Sequence, residues 1–277
     1  WVYRGEAAQW RTMLALLRGQ LDKVESLVEE TMTLTGGEAN YAIASQGQRF
    51  FLSRELGRLD EARAAAAEAT RRYPGLFVLR ALLALAQAET GDLDRARAVL
   101  ARAAADDFAE ARREFTWIAS TAMLAETCAL VGDTAAAATL YRLLQPHAGR
   151  LVVFGWGVVC GGPVDRYLAR LAATLGRWDE AEAMYRSALA TLTHLGAAPL
   201  TVRTTLAYAR MLGARARPGD LARSLDLLAE ADEAATALGM GGVATEIAAL
   251  RALNSPDAPA GAGRPGRAGR STRRPGS

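Results

Sequence analysis

The sequence predicts an all-α chain built as a stack of helical hairpins, an α-solenoid, and three observations carry that expectation. Apolar residues make up 51% and aromatics only 6%, alanine and leucine dominate, and Val, Ile and Thr are too sparse for many strands. A short Gly-to-Asp pattern recurs six times, at intervals of 38, 34, 41, 44 and 43 residues, which are helix-pair lengths. Beyond each recurrence, small and apolar residues continue at helical spacing.

The chain opens at Trp1 inside an apolar, helix-like run (Trp1, Trp10, Met13, Leu14, Leu17), so a piece cut from a longer protein is expected. The first corner is Gly19-Gln-Leu-Asp-Lys-Val24, repeated as Gly57-Arg-Leu-Asp-Glu-Ala62 and Gly91-Asp-Leu-Asp-Arg-Ala96. Gly132-Asp-Thr-Ala-Ala-Ala137, Gly176-Arg-Trp-Asp-Glu-Ala181 and Gly219-Asp-Leu-Ala-Arg-Ser224 complete the set. A helix ends well at a glycine free to take positive φ, and the next begins well where an aspartate caps free N–H groups. Asp22, Asp60, Asp94 and Asp179 lie three residues after their glycines, whereas Asp133 and Asp220 follow directly. Glu61 and Glu180 add negative charge at the positive end of the second helix.

The stripes Ala62, Ala66, Ala69, then Ala96, Leu100, Ala103, then Ala181, Tyr185, Ala188 are the expected packing faces. Trp10, Trp117 and Trp178 read as core or inter-repeat packing, and Cys128 as a small buried residue. About twelve antiparallel helices in six hairpins follow, a right-handed superhelix over residues 1–253 whose terminal units fray first. Residues 254–277 read as a disordered basic Gly/Pro/Arg tail, with Arg264, Arg267, Arg270, Arg273 and Arg274 against Asp257. The formal charge of +3 therefore reflects the tail and not a basic folded surface, which argues against nucleic acid as a partner of the repeats. The tail itself looks like arginine/glycine nucleic-acid-binding segments but lacks their interleaved aromatics, so it reads as solvated chain.

With Gly57 as the turn, Ala62, Ala66, Ala69 and Pro74 fall on the small, large, small and proline positions of the tetratricopeptide repeat, which the chain resembles. The unit around Gly176 matches through Ala181, Tyr185 and Ala188, and the first, fourth and sixth copies are degenerate. A second resemblance rests on the order of Trp117, Leu124-Ala-Glu-Thr-Cys-Ala-Leu-Val-Gly-Asp133, Leu140-Tyr-Arg-Leu-Leu-Gln-Pro-His147, Gly162-Pro-Val-Asp-Arg-Tyr-Leu168 and Leu238-Gly-Met240. That order looks like the C-terminal helical-repeat region of bacterial signalling ATPases of the STAND and AAA types, as in LuxR-type regulators and adenylate-cyclase-linked ATPases. The resemblance implies a sensor or scaffold arm, with ATP bound, if anywhere, by a domain upstream of this chain.

Catalytic chemistry has little to stand on. The only lysine is Lys23, so a phosphate-binding loop ending in Gly-Lys-Ser/Thr has no place here. Cys128, Cys160, His147 and His194 stand in no metal-ligand or disulfide spacing, and neither histidine has a nucleophile at an interpretable distance. No cofactor or metal is expected within the chain. The histidines read as surface helix positions, and the unpaired cysteines suit a reducing cytoplasm. No run reaches the length of a membrane span, and no secretory signal opens the chain, so no membrane association is expected.

The most site-like stretch is Leu151-Val-Val-Phe-Gly-Trp-Gly-Val-Val-Cys-Gly-Gly-Pro163. Its glycines miss the dinucleotide fingerprint, because the sixth position from Gly155 is Cys160. It reads as a helix whose glycines permit close packing, ended at Gly161-Gly162, with Pro163 opening the next helix. Trp156, Asp165 and Arg166 cluster at this irregular junction and are the candidate ligand- or partner-binding residues, facing a concave groove. The function expected is a non-catalytic sensor or scaffold domain that takes a protein or a small-molecule effector in that groove. The alternative is a stand-alone adaptor that assembles complexes.

Overall fold

The computed structural model describes residues 2–254, so the basic tail lies outside the described residues. It is all-helical apart from one short hairpin. Helices α1 (Val2–Arg18), α2 (Leu21–Thr35), α3 (Ala39–Glu55), α4 (Leu59–Arg72), α5 (Phe77–Glu89) and α6 (Leu93–Ala104) form three antiparallel pairs. A single turn, α7 (Ala109–Arg112), leads to α8 (Trp117–Val131) and α9 (Thr134–Leu144). Strands β1 (Leu151–Phe154) and β2 (Val159–Pro163) precede α10 (Val164–Thr174) and α11 (Trp178–Leu195). Helices α12 (Ala198–Arg215), α13 (Asp220–Ala237) and α14 (Gly241–Asn254) end the described chain.

Burial divides the helices into two layers. The outer helices α4, α6 and α11 bury single stripes: Ala62, Ala66 and Ala69; Ala96, Leu100 and Ala103; Ala181, Tyr185, Ala188 and Leu192. These are the faces expected from spacing, each pressed on one neighbour while the rest meets water. The inner helices α3, α5, α8, α10 and α12 are covered on more than one side. In α8 every residue from Ala119 to Cys128 is buried, as suits a helix that is apolar nearly all round.

All six corner glycines take positive φ, between 71° and 84°. The aspartates, however, do not cap as expected. Asp22, Asp60, Asp94 and Asp179 occupy the second helical position, two residues past the cap, where their carboxylates make no capping bond. Gln20, Arg58, Asp92 and Arg177 stand at the cap without a side-chain bond, so the deeper acids act through charge at the helix's positive end. Asp133 does cap, accepting from the Ala136 amide at 2.9 Å.

The stack does not stay open. α1 packs on α12, and α3 packs on α14, so the early and late hairpins meet. At the Gly19 corner an added Cβ would lie 2.6 Å from Leu238. At the Gly57 corner it would lie 2.5 Å from the Gly242 nitrogen, an approach that only two glycines allow. The early and late hairpins therefore close on one another, and the first hairpin is held by more than its sequence neighbour.

Candidate functional site

The stretch from Leu151 to Pro163 is a β-hairpin, which corrects the helix expected there. Leu151 pairs with Pro163, Val152 with Gly162, Val153 with Cys160 and Phe154 with Val159, with a bulge between Val152 and Val153. Val152 and Phe154 point inward while Leu151 and Val153 face out. The signal that distinguishes it was present in the sequence: two apolar, β-branched runs flank Gly-Trp-Gly, and Gly155 and Gly157 supply the positive φ of a tight turn.

The hairpin lodges between helices distant in sequence. Phe154 meets Phe51 edge to face at 5.1 Å. The Trp156 carbonyl accepts from Gln9 Nε2 at 3.1 Å and Trp10 Nε1 at 2.9 Å. The buried Gln48 amide donates to the carbonyls of Val158 (2.9 Å) and Gln9 (3.0 Å), joining α3, α1 and the hairpin at one point.

The three candidate residues part company here. Trp156 is 82% exposed and stacks on Phe115, itself 73% exposed, with ring centres 6.0 Å apart. Asp165 is buried, accepting from the Gly149 amide at 2.6 Å and the Ser187 hydroxyl at 2.8 Å, so it ties a loop to α11. Arg166 is 3% exposed and turns into the interior. Asp165 and Arg166 therefore hold the fold together and do not face a groove. Each follows Pro163 at the start of α10, where one turn of helix carries both side chains inward.

Arg166 belongs to a cluster of charges that no local motif announces. Glu126 of α8 is fully buried, with Arg54 of α3 at 2.5 Å, Arg166 at 2.9 Å and Arg170 at 3.6 Å. The Arg166 contact is an ion pair without hydrogen-bond alignment. Arg54 also forks onto Glu89 of α5, at 2.8 and 2.6 Å. Arg203 of α12 binds Glu55 through Nε at 2.8 Å and donates to the Arg54 carbonyl at 3.0 Å. Arg210 pairs with Glu246 of α14. Burial alone would raise the Glu126 carboxyl, but Arg54, Arg166 and Arg170 hold it well below the usual carboxylate range. Burial likewise opposes the charge on Arg54, and Glu89 and Glu126 overcome it.

Two adjoining cavities lie beside this cluster. One, of about 150 Å³, is lined by Arg54, Glu89, Arg170, Arg203, Arg210 and Glu246 among others. The other, of about 630 Å³, shares Leu130, Arg170, Arg210 and Glu246 and adds Trp178, Tyr185 and Met211. The Arg170 guanidinium has its 3.6 Å ion pair and makes no hydrogen bond among the described residues. Burial pushes the Tyr185 phenol up to about 12, so it stays a neutral donor.

The nucleophile candidates are subdued. Burial pushes the Cys128 thiol up to about 12 and raises that of Cys160. His147 sits in a short 3₁₀ turn edge-on to Trp117, ring centres 5.0 Å apart, and His194 is exposed on α11. Among the described residues no group of three His, Cys, Asp or Glu side chains is placed to hold a metal, and no helix is long and apolar enough to cross a membrane. Compared with protein-family models and with curated proteins, the chain finds no match in either.

Proposed function

We propose that this chain is a non-catalytic sensor domain that takes a small effector in a half-open cleft between its later helices and signals through the closure of its helical stack. The supporting observation is the donor-lined cavity beside the Glu126 cluster. The cleft measures about 630 Å³, a size typical of ligand pockets. Its walls come from α8, α10, α11, α12 and α14, so a bound molecule would bridge hairpins and shift the equilibrium between tighter and looser stacks.

Screening uncharged and charged fragments against the folded chain by protein NMR tests this. Fragments should perturb residues around Trp178 and Met211, and Ala214→Trp, at an exposed position on the cavity rim, should abolish the effect. Indifference of every fragment to that substitution would sink the proposal.

The wider setting rests on the resemblance alone. As the sensor arm of a cytoplasmic signalling ATPase or transcriptional regulator, the domain would follow a nucleotide-binding module in one reading frame. Translating the coding DNA upstream of Trp1 tests that: a Gly-Lys-Ser/Thr phosphate loop supports it, and a start codon with nothing before it refutes it. A second reading, a protein-binding adaptor, is favoured by the exposed Phe115–Trp156 stack.

A further inference from the structure

We infer that the effector is an amphipathic organic anion, its head held by Arg170, Arg210 and Tyr185 and its apolar body lying against Leu130, Trp178 and Met211. This rests on the cavity-binding reading above and names the chemistry of what the cavity takes.

The central cluster gathers five arginines (Arg54, Arg166, Arg170, Arg203, Arg210) around four glutamates (Glu55, Glu89, Glu126, Glu246), leaving one positive charge over. The excess falls on Arg170. Glu126 is already in closer contact with Arg54 and Arg166, so Arg170 receives the longest of its three contacts, 3.6 Å, and no hydrogen bond. A guanidinium carries five donors in a planar fork suited to two oxygens of one anion, and this one lines both cavities.

Tyr185 strengthens the assignment. Its ring stacks on Tyr208 at 5.4 Å, which fixes the phenol in place. Tyr185 lines the larger cavity, and its hydroxyl makes no hydrogen bond among the described residues. Both Arg170 and Arg210 act electrostatically on it, so all three donors share one neighbourhood. Most of the remaining lining is apolar, including Leu130, Trp178, Met211 and alanines 129, 173 and 214. A fully solvated inorganic ion gains nothing from that wall, whereas an acid with a hydrocarbon part does.

Glu246 is the built-in competitor. Its carboxylate already engages Arg210 at the cavity edge, so an incoming anion must share that arginine or displace the glutamate. Removing the competitor should therefore strengthen binding, an effect that a merely structural glutamate would not produce.

The test is calorimetric titration of the folded chain with hexanoate, hexyl phosphate, hexanamide and inorganic phosphate. The expected result is binding of hexanoate or hexyl phosphate, whichever head fits, with hexanamide and inorganic phosphate at least roughly tenfold weaker. Arg170→Met should weaken the bound anion by roughly tenfold and Tyr185→Phe by less, while Glu246→Gln should tighten it. Should a substituted chain fail to fold by circular dichroism, the probe series on the unsubstituted chain still decides. Hexanamide binding as tightly as the acids would overturn the anion assignment yet leave the cavity reading standing. Inorganic phosphate matching hexyl phosphate, or anion binding untouched by Arg170→Met in a folded chain, would overturn it as well. Binding by no probe, anionic or neutral, would remove this inference together with the reading beneath it.

Discussion

Gly57 and Gly242 meet backbone to backbone: a Cβ on Gly57 would lie 2.5 Å from the Gly242 nitrogen, and one on Gly242 would lie 2.4 Å from the Gly57 Cα. The contact joins the second helical corner to the first turn of α14. It is made of main chain on both sides, so neither partner can yield by turning a side chain aside.

Gly242→Ala should therefore destabilise the chain by about 1–3 kcal/mol, as overpacking does. The sign is informative, because the same change in a free helix stabilises by up to about 1 kcal/mol. Gly241→Ala, where the nearest atom outside its surroundings is the Leu56 carbonyl oxygen at 3.9 Å, is the matched control and should be neutral or stabilising. Urea midpoints of the two variants decide it.

Glu126→Gln should cost about 3–5 kcal/mol, because it strands three arginines in the interior without their shared counter-charge. The cluster itself need not be a net source of stability, since desolvating each ion offsets much of the attraction. What it sets is register: α3, α5, α8, α10 and α12 must present their charges to one another, and a slipped packing leaves one unpaired. Thermal unfolding of the variant, followed by circular dichroism, measures the loss.

The hairpin separates backbone from side-chain roles. Gln48→Ala leaves the Gln9 and Val158 carbonyls without their donor and should cost about 1–3 kcal/mol. Trp156→Ala keeps the carbonyl that Gln9 and Trp10 use and loses only the stack on Phe115, so it should cost less than about 1 kcal/mol. Comparable losses from the two would contradict this division.

Acid should unfold the chain through identifiable carboxylates. Glu182 of α11 accepts from Arg223 (2.7 Å), Arg215 (2.5 Å) and Tyr208 (2.8 Å). Burial pushes its carboxyl up, and these donors bring it down to about 2. Glu126 is lowered too, by its three arginines against the effect of burial. Both groups hold protons less tightly folded than unfolded, so their stabilisation is complete above the unfolded value of about 4.3 and is lost as pH falls through the folded values. Denaturant midpoints should drop steadily below about pH 4.3, with a shallower drop in Glu182→Gln.

The repeat was legible because its signal is local and repeated. A corner needs one glycine with positive φ, and the stripe behind it needs small residues three and four apart, so Gly57 with Ala62, Ala66 and Ala69 announces itself within thirteen residues. The capping role assigned to Asp60 and its equivalents missed by two residues, since Arg58 and its equivalents hold the cap, a difference that sequence spacing hardly resolves. The hairpin was legible in principle, but its glycines sit in an alanine-rich helical context that favours reading Val152 to Val159 as one more helix. The charged interior was not legible at all. Arg54 and Glu126 are separated by 72 residues, and each taken alone looks like an ordinary solvated helix position. Arg166 was noticed for its place beside Asp165 and Trp156, yet its partner lies on a different helix.

The Gly57–Gly242 contact also bears on how such a protein can change over generations. Open repeat arrays gain and lose whole units, because each unit touches only its neighbours and the ends are free to move outward. Here the second corner and the last described helix must arrive at the same point. Duplicating or deleting one hairpin between them would carry Gly242 away from Gly57 and leave Gly19 without Leu238. Descendants of this chain should therefore vary in the sequence of their helices and the length of exposed loops while keeping the number of hairpins between residues 57 and 242 fixed.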